Sequence, residues 1–142
     1  MLNFSIVFPG QGSQSIGMLS RLAPDHPIIE QTFRAASEVT GFACWDIAQN
    51  GPETLLNQTA YTQPILLAAD IALWRVYLEQ CPTAKPAWLA GHSLGEYAAL
   101  VASKAMSFED GIKVVAERGR LMQSAVLENS TGCMAAILGL ED

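Results

Sequence analysis

Two short apolar runs, "FSIVF" at 4–8 and "AWLA" at 87–90, constrain this chain more than anything else in it. Neither alternates apolar with polar side chains, so each reads as a strand buried on both faces, the habit of parallel sheets. Parallel strands need a long crossover, and the stretch between the runs supplies one made of helices. Asp25 with His26-Pro27 opens the first helix, whose inner face is Ile28, Ile29, Phe33, Ala36 and Val39 and whose end is Gly41. From Gly41 to Tyr61 the chain breaks into short turns and half-helices around Gly51-Pro52. Gln63-Pro64 then opens a helix to about Gln80, apolar on nearly every side and therefore expected between layers. "CPTAKPA", with Pro82 and Pro86, is a connector. Beyond the second run a helix is expected from Leu94 to about Lys104. Ser107 and Asp110 then form a capping box that opens a long helix to about Asn129. "CMAAILGL" at 133–140 is one more strand candidate. The fold class is α/β, layered, with a parallel sheet as its core.

Composition fits that class and narrows the partners. At 142 residues, with 50% hydrophobic and only 15% charged, the chain can bury the core of one compact domain. The net charge of −6 argues against a general nucleic-acid surface, which needs clustered Lys and Arg. Cys44, Cys81 and Cys133 are far apart with no C-x-x-C, so they suggest neither a disulfide framework nor a zinc site and read as buried thiols in a reducing compartment. The first residues carry no basic leader, and Pro9 interrupts their apolar run. The most apolar long segment, Ile65 to Leu78, contains Asp70 and Arg75 and is shorter than a membrane span needs. A cytoplasmic protein is expected, with no membrane or nucleic-acid partner.

In parallel α/β folds, function collects where strands end, and here two loops do so: "PGQGSQ" after the first run and "GHSLG" after the second. G-x-S-x-G alone is a weak signal. Placed between a short strand and a helix, it is the setting of a nucleophile elbow, in which the serine sits on a strained turn and flanking glycines let strand and helix crowd together. Ser93 would then project from the sheet, and the N–H of Leu94, unsatisfied at the helix start, would face a developing oxyanion. The alternative is a serine that only caps the helix. The first loop matches neither phosphate-binding pattern: position 15 is serine where a dinucleotide loop needs glycine, and Met18 stands where a phosphate loop needs lysine. It is either a plain turn or a device for presenting a backbone N–H, that of Gln11, to a reacting group.

Arg118 is the third singular residue. At about 100° per residue, Glu109, Asp110, Lys113, Glu117, Arg120 and Ser124 share the wet face of the long helix, while Arg118 falls among Val114, Val115, Met122 and Ala125. A guanidinium on an apolar arc needs an anion. It either pairs internally, for example with Asp70, or awaits an anionic ligand.

"FPGQGSQ" at 8–14, "TQP" at 62–64, "GHSLGEYAAL" at 91–100 and "ERG" at 117–119, in this order and spacing, resemble the malonyl-CoA:acyl carrier protein transacylases of fatty acid synthesis over the whole chain. The resemblance implies an α/β-hydrolase-like acyltransferase domain. Residues 1–129 would be the N-terminal part of its large subdomain, and 130–142 the start of a small ferredoxin-like subdomain, cut after its first strand. By matching position it implies Ser93 as the acylated nucleophile, backbone N–H groups of Gln11 and Leu94 as the oxyanion hole, and Gln63 lining the site. Arg118 would hold the malonyl carboxylate through paired charge-assisted hydrogen bonds. Malonyl-CoA and acyl carrier protein are the implied partners, with coenzyme A thioester as substrate and no metal or tightly held cofactor.

The two histidines do not complete the machinery. His92 is the chain neighbour of Ser93 and points away from it, so it is expected to shape the pocket; His26 stands at a helix start. The resemblance places the base histidine beyond residue 142, so this chain would present nucleophile, oxyanion donors and clamp without the general base and act poorly alone. Two other readings share its features. A serine esterase or thioesterase has the elbow but needs no arginine, and a non-catalytic acyl-carrier-binding fragment needs no base.

Overall fold

The computed structural model describes residues 4–83, 85–129 and 139. Two parallel strands, β1 (Ser5–Phe8) and β2 (Trp88–Gly91), pair in the register Ser5 to Trp88 through Phe8 to Gly91. Among the described residues six helices accompany them: α1 (Ile28–Thr40), α2 (Cys44–Asn50), α3 (Glu53–Leu56), α4 (Thr59–Gln80), α5 (Leu94–Ala102) and α6 (Phe108–Asn129). The strand candidate at 133–140 and the boundary at 130 lie outside the described residues, apart from Gly139.

The core forms where α4 passes between α1 and α6. α4 buries residues on every side, including Ile65, Leu67, Ala68 and Ile71, as its uniform apolarity requires. Phe33 and Ile29 from α1 and Ile112 and Val115 from α6 close over it, each side chain contributing roughly 1.5–3 kcal/mol by leaving water. α1 ends at Gly41, in the left-handed conformation with φ 79°, where its N–H bonds the Ser37 carbonyl. α6 begins on the capping box: the Asp110 N–H donates to Ser107 Oγ, and that hydroxyl donates to Asp110 Oδ2.

Three expectations change. The long helix opens at Thr59, ahead of Gln63-Pro64, and Pro64 lies inside it. A contact distant in sequence sets this start: the Thr59 N–H, which has no acceptor within its own helix, donates to Gln123 Oε1 of α6 at 3.0 Å. The strands are not buried on both faces either. Val7 is 68% exposed and Trp88 75%, because among the described residues helices cover only one side of a two-stranded sheet. A concavity of about 850 Å³ borders β2, lined by Trp74, Pro86, Trp88 and Leu100 among others. Finally, Cys44 is buried as expected but Cys81 is exposed at the end of α4. Among the described residues no helix is long and apolar enough to cross a membrane, and no three His, Cys, Asp or Glu side chains gather where they could hold a metal ion.

Candidate active site

The site is built at the carboxyl ends of both strands. β2 stops at Gly91, the chain reverses through His92 and Ser93, and α5 starts at Leu94. A Cβ on Gly91 would lie 1.9 Å from the Gly95 carbonyl carbon, and one on Gly95 would lie 2.2 Å from the Phe8 carbonyl oxygen. Only hydrogen fits at either position, so strand and helix meet backbone to backbone. Ser93, between them, is forced to φ 53°, ψ −105°, a conformation that costs a non-glycine residue on the order of 1–3 kcal/mol. The serine does not cap the helix, as no side-chain cap bond forms there. Its hydroxyl is exposed instead, and the Leu94 N–H beside it has no acceptor among the described residues.

Arg118 reaches this hydroxyl from α6. Its Nη2 donates to Ser93 Oγ at 2.9 Å and its Nη1 donates to Gln63 Oε1 at 2.8 Å. Gln63 is fully buried in α4, and its Nε2 donates to Met122 Sδ at 3.1 Å, which fixes which end of the amide faces the guanidinium. The Tyr97 ring lies under the guanidinium, 5.8 Å from centroid to Cζ. The internal pairing with Asp70 does not occur: Arg118 makes no ion pair among the described residues, and its partners are an amide oxygen and a hydroxyl. The arc it occupies is also wetter than periodicity suggests, since Val114 and Leu121 are exposed and border an open groove of about 550 Å³ with Lys113, Glu117 and Met122. Arg120 lies on the wet face, as expected, and pairs there with Glu117.

The first loop leans against the elbow. A Cβ on Gly10 would lie 2.7 Å from the His92 carbonyl oxygen, and the His92 N–H donates to the Phe8 carbonyl at 3.2 Å. Gln11 sends its side chain away, Nε2 donating to Thr59 Oγ1 at 3.1 Å, and its own N–H has no acceptor among the described residues. Gln14 braces the loop twice: Oε1 accepts from the Gly12 N–H at 2.8 Å, and Nε2 donates to Asn57 Oδ1 at 2.9 Å. His92 is exposed beside Gly10. Neither it nor His26 bonds Ser93 Oγ.

The structure therefore brings Ser93, Arg118 and Gln63 into one bonded group, with Leu94 and His92 adjoining through the elbow. Sequence reasoning placed Met122 on the arc of Arg118, four residues on, without giving it a role, and missed Tyr97 and Thr59. Tyr97 follows Ser93 by the same four residues, which is the signal that could have found it. Thr59 had no such signal.

The profile of the acyl transferase domain matches residues 5–139. The chain belongs to the acyl transferase family. Within that family it is 52% identical over 142 residues to the malonyl CoA-acyl carrier protein transacylase of Haemophilus influenzae, covering 100% of this chain and 45% of that protein. Identity to the Bacillus subtilis protein of the same name is 39% over 137 residues, covering 96% of this chain and 34% of the relative. A crystal structure of an acyl carrier protein S-malonyltransferase from Vibrio cholerae superimposes with a TM-score of 0.84 at 54% identity, over 88% of this chain and 40% of that one. A malonyl-transacylase solved in complex with its type II PKS acyl carrier protein matches with a TM-score of 0.85 at 52% identity, again over 88% of this chain and 40% of that one. The chain thus spans less than half the length of these acyltransferases.

Proposed function

We propose that these residues carry the nucleophile half of a malonyl-CoA:acyl carrier protein transacylase serving fatty acid biosynthesis. Ser93 Oγ attacks the thioester carbonyl of malonyl-CoA. The carbon–sulfur bond breaks as the ester forms, and the serine proton leaves with the coenzyme A thiol. The thiol of the carrier's phosphopantetheine arm then attacks the ester and takes the malonyl group. Gln11 and Leu94 N–H groups serve the oxyanion in both steps, which fits their lack of an acceptor among the described residues.

One contact carries the reading: Arg118 Nη2 lies 2.9 Å from Ser93 Oγ while Nη1 is held by buried Gln63. A cation pinned beside a nucleophile suits an acyl group that ends in a carboxylate. On binding, that carboxylate takes Nη2 in a stronger, charge-assisted bond and releases the hydroxyl for attack. An acetyl group offers no such exchange and leaves the guanidinium on the oxygen. An esterase has no use for this arrangement. The scheme uses the thioester as substrate and calls for no further cofactor, and its general base is assigned to the part of the protein beyond residue 142. Residues 130–142 are assigned to the start of the small ferredoxin-like subdomain, and His92 to the pocket wall.

Incubation with malonyl-CoA followed by intact-mass measurement tests this. A protein of the relatives' full length that contains these residues should gain one malonyl group, and Ser93→Ala should gain none. Residues 1–142 alone should acylate more slowly by the roughly 10²- to 10⁴-fold that base catalysis supplies. Full turnover by residues 1–142 would show that the base lies within them. Arg118→Ala should lower malonyl transfer by about 10- to 100-fold, the worth of a charged hydrogen bond, and acetyl transfer far less. Equal losses for the two acyl groups would reduce Arg118 to a structural role.

A further inference from the structure

We infer that Thr59 is a positioning residue that locks the first loop and the arginine-bearing helix into one register, so that the oxyanion donor and the carboxylate clamp are set together. The inference rests on the acyl-transfer reading and deepens it. Thr59 is the first residue of α4 and hydrogen-bonds neither Ser93 nor Arg118, yet its polar groups meet both the first loop and α6. Its hydroxyl accepts from Gln11 Nε2 at 3.1 Å. Its N–H donates to Gln123 Oε1 at 3.0 Å, little more than one turn beyond Arg118 on α6. Its carbonyl oxygen stands against Gly119, where a Cβ would come within 2.6 Å of it.

The chemistry of a helix start explains why this position can serve. A first-turn N–H has no acceptor within its own helix and must find one elsewhere. Here it finds α6, and the crowding at Gly119 lets the two backbones approach closely enough for the bond to form. The hydroxyl is then fixed relative to α6 and offers the Gln11 side chain a stationary acceptor. Gln11 has one rotatable side chain and one N–H. With the first tied to Thr59, the second is directed where no acceptor among the described residues competes for it. Displacement of a reacting group by about 1 Å can cost on the order of 100-fold in rate, so a modest bond far from the chemistry has leverage over it.

The test compares Thr59→Val, which keeps the branched shape and removes the acceptor, with Thr59→Ser, which keeps the acceptor, in the full-length protein. Thr59→Val should lower kcat for malonyl and acetyl thioesters by the same factor, about 5- to 20-fold, with KM for malonyl-CoA changed less than about twofold. Thr59→Ser should stay within about twofold of the parent. Gln123→Leu frees the other side of the junction. It should lower kcat for both thioesters as Thr59→Val does and, because Arg118 also loses its register, erode the preference for malonyl over acetyl by about 3- to 10-fold; an unchanged preference would overturn the inference. Thr59→Val at parental kcat, Thr59→Ser as impaired as Thr59→Val, or a loss confined to malonyl would each overturn the inference. Amide hydrogen exchange reads the same bond without turnover: Thr59→Val should speed exchange at residues 11–13, and unchanged exchange would overturn the positioning role even if Ser93 accepts no malonyl group. Should Thr59→Val not fold, Gln11→Met cuts the bond from the loop side and must give the same exchange and rate pattern.

Discussion

The two loops that frame the site are held in place by opposite means. The elbow at 91–95 is fixed by what its residues lack: Gly91 and Gly95 admit no side chain, so strand and helix close on each other and Ser93 has nowhere to go but outward. The loop at 10–14 is fixed by what its residues have. Gln11 and Gln14 reach Thr59 and Asn57 through long, hydrogen-bonded side chains, and backbone crowding touches only Gly10. Steric exclusion is all-or-none, whereas a hydrogen bond contributes about a kcal/mol and can be removed alone. Ser93 should therefore tolerate almost no change in its frame, and the first loop should loosen by degrees.

Gly95→Ala should give the largest effect. Its methyl would sit 2.2 Å from the Phe8 carbonyl oxygen, backbone that cannot swing aside, and we expect a loss of about 3 kcal/mol or more in denaturant unfolding together with loss of the proposed acylation at Ser93. Near-parental stability would mean that the elbow has slack and the contrast between the loops is false.

A pH effect comes next, aimed at the strand beneath the first loop. Asp70 on α4 is 5% exposed beside Ile6, Phe8 and Pro9, and its Oδ2 finds no partner among the described residues. Burial raises its pKa to about 7. The unfolded chain ionises near the model-peptide value of about 3.9, so between there and about 7 only the unfolded state gives up the proton. The stability associated with the neutral acid is complete below that lower value and is lost as pH rises through the upper one, by up to roughly 4 kcal/mol. Denaturation of residues 1–142 at pH 5 and pH 8 should show the fall, and Asp70→Asn should flatten it. An unchanged slope in that variant would remove Asp70 as the cause.

The smallest effect belongs to Gln14→Ala. Two exposed hydrogen bonds are lost, and stability should change by less than about 1 kcal/mol while exchange at Gly12 quickens. A loss as large as that of Gly95→Ala would show that the first loop, too, is held as a rigid unit.

What the sequence made legible follows the same division. Features carried by neighbouring residues read correctly: the strand at 4–8, the helix closed by Gly41, the Ser107–Asp110 cap, the elbow around Ser93 and the placement of Arg118 off the wet face. Features fixed across the molecule did not. The start of α4 moved to Thr59 because its acceptor, Gln123, is 64 residues away. Arg118 met Gln63 and not Asp70, since periodicity gives the face of a helix but not the residue that will stand opposite. The strands read as buried because apolar side chains show a need for cover without showing where in the chain the cover lies.

That open side of β2 has a practical consequence. Trp88 projects from it into solvent, while the rings of Trp45 and Trp74 pack against Phe33 and Tyr77. An indole in water fluoresces at longer wavelength than one in an apolar setting, so the red edge of the emission of residues 1–142 belongs to Trp88. Whatever polypeptide comes to lie over this side of the sheet will announce itself as a blue shift and a loss of iodide quenching, with no label added.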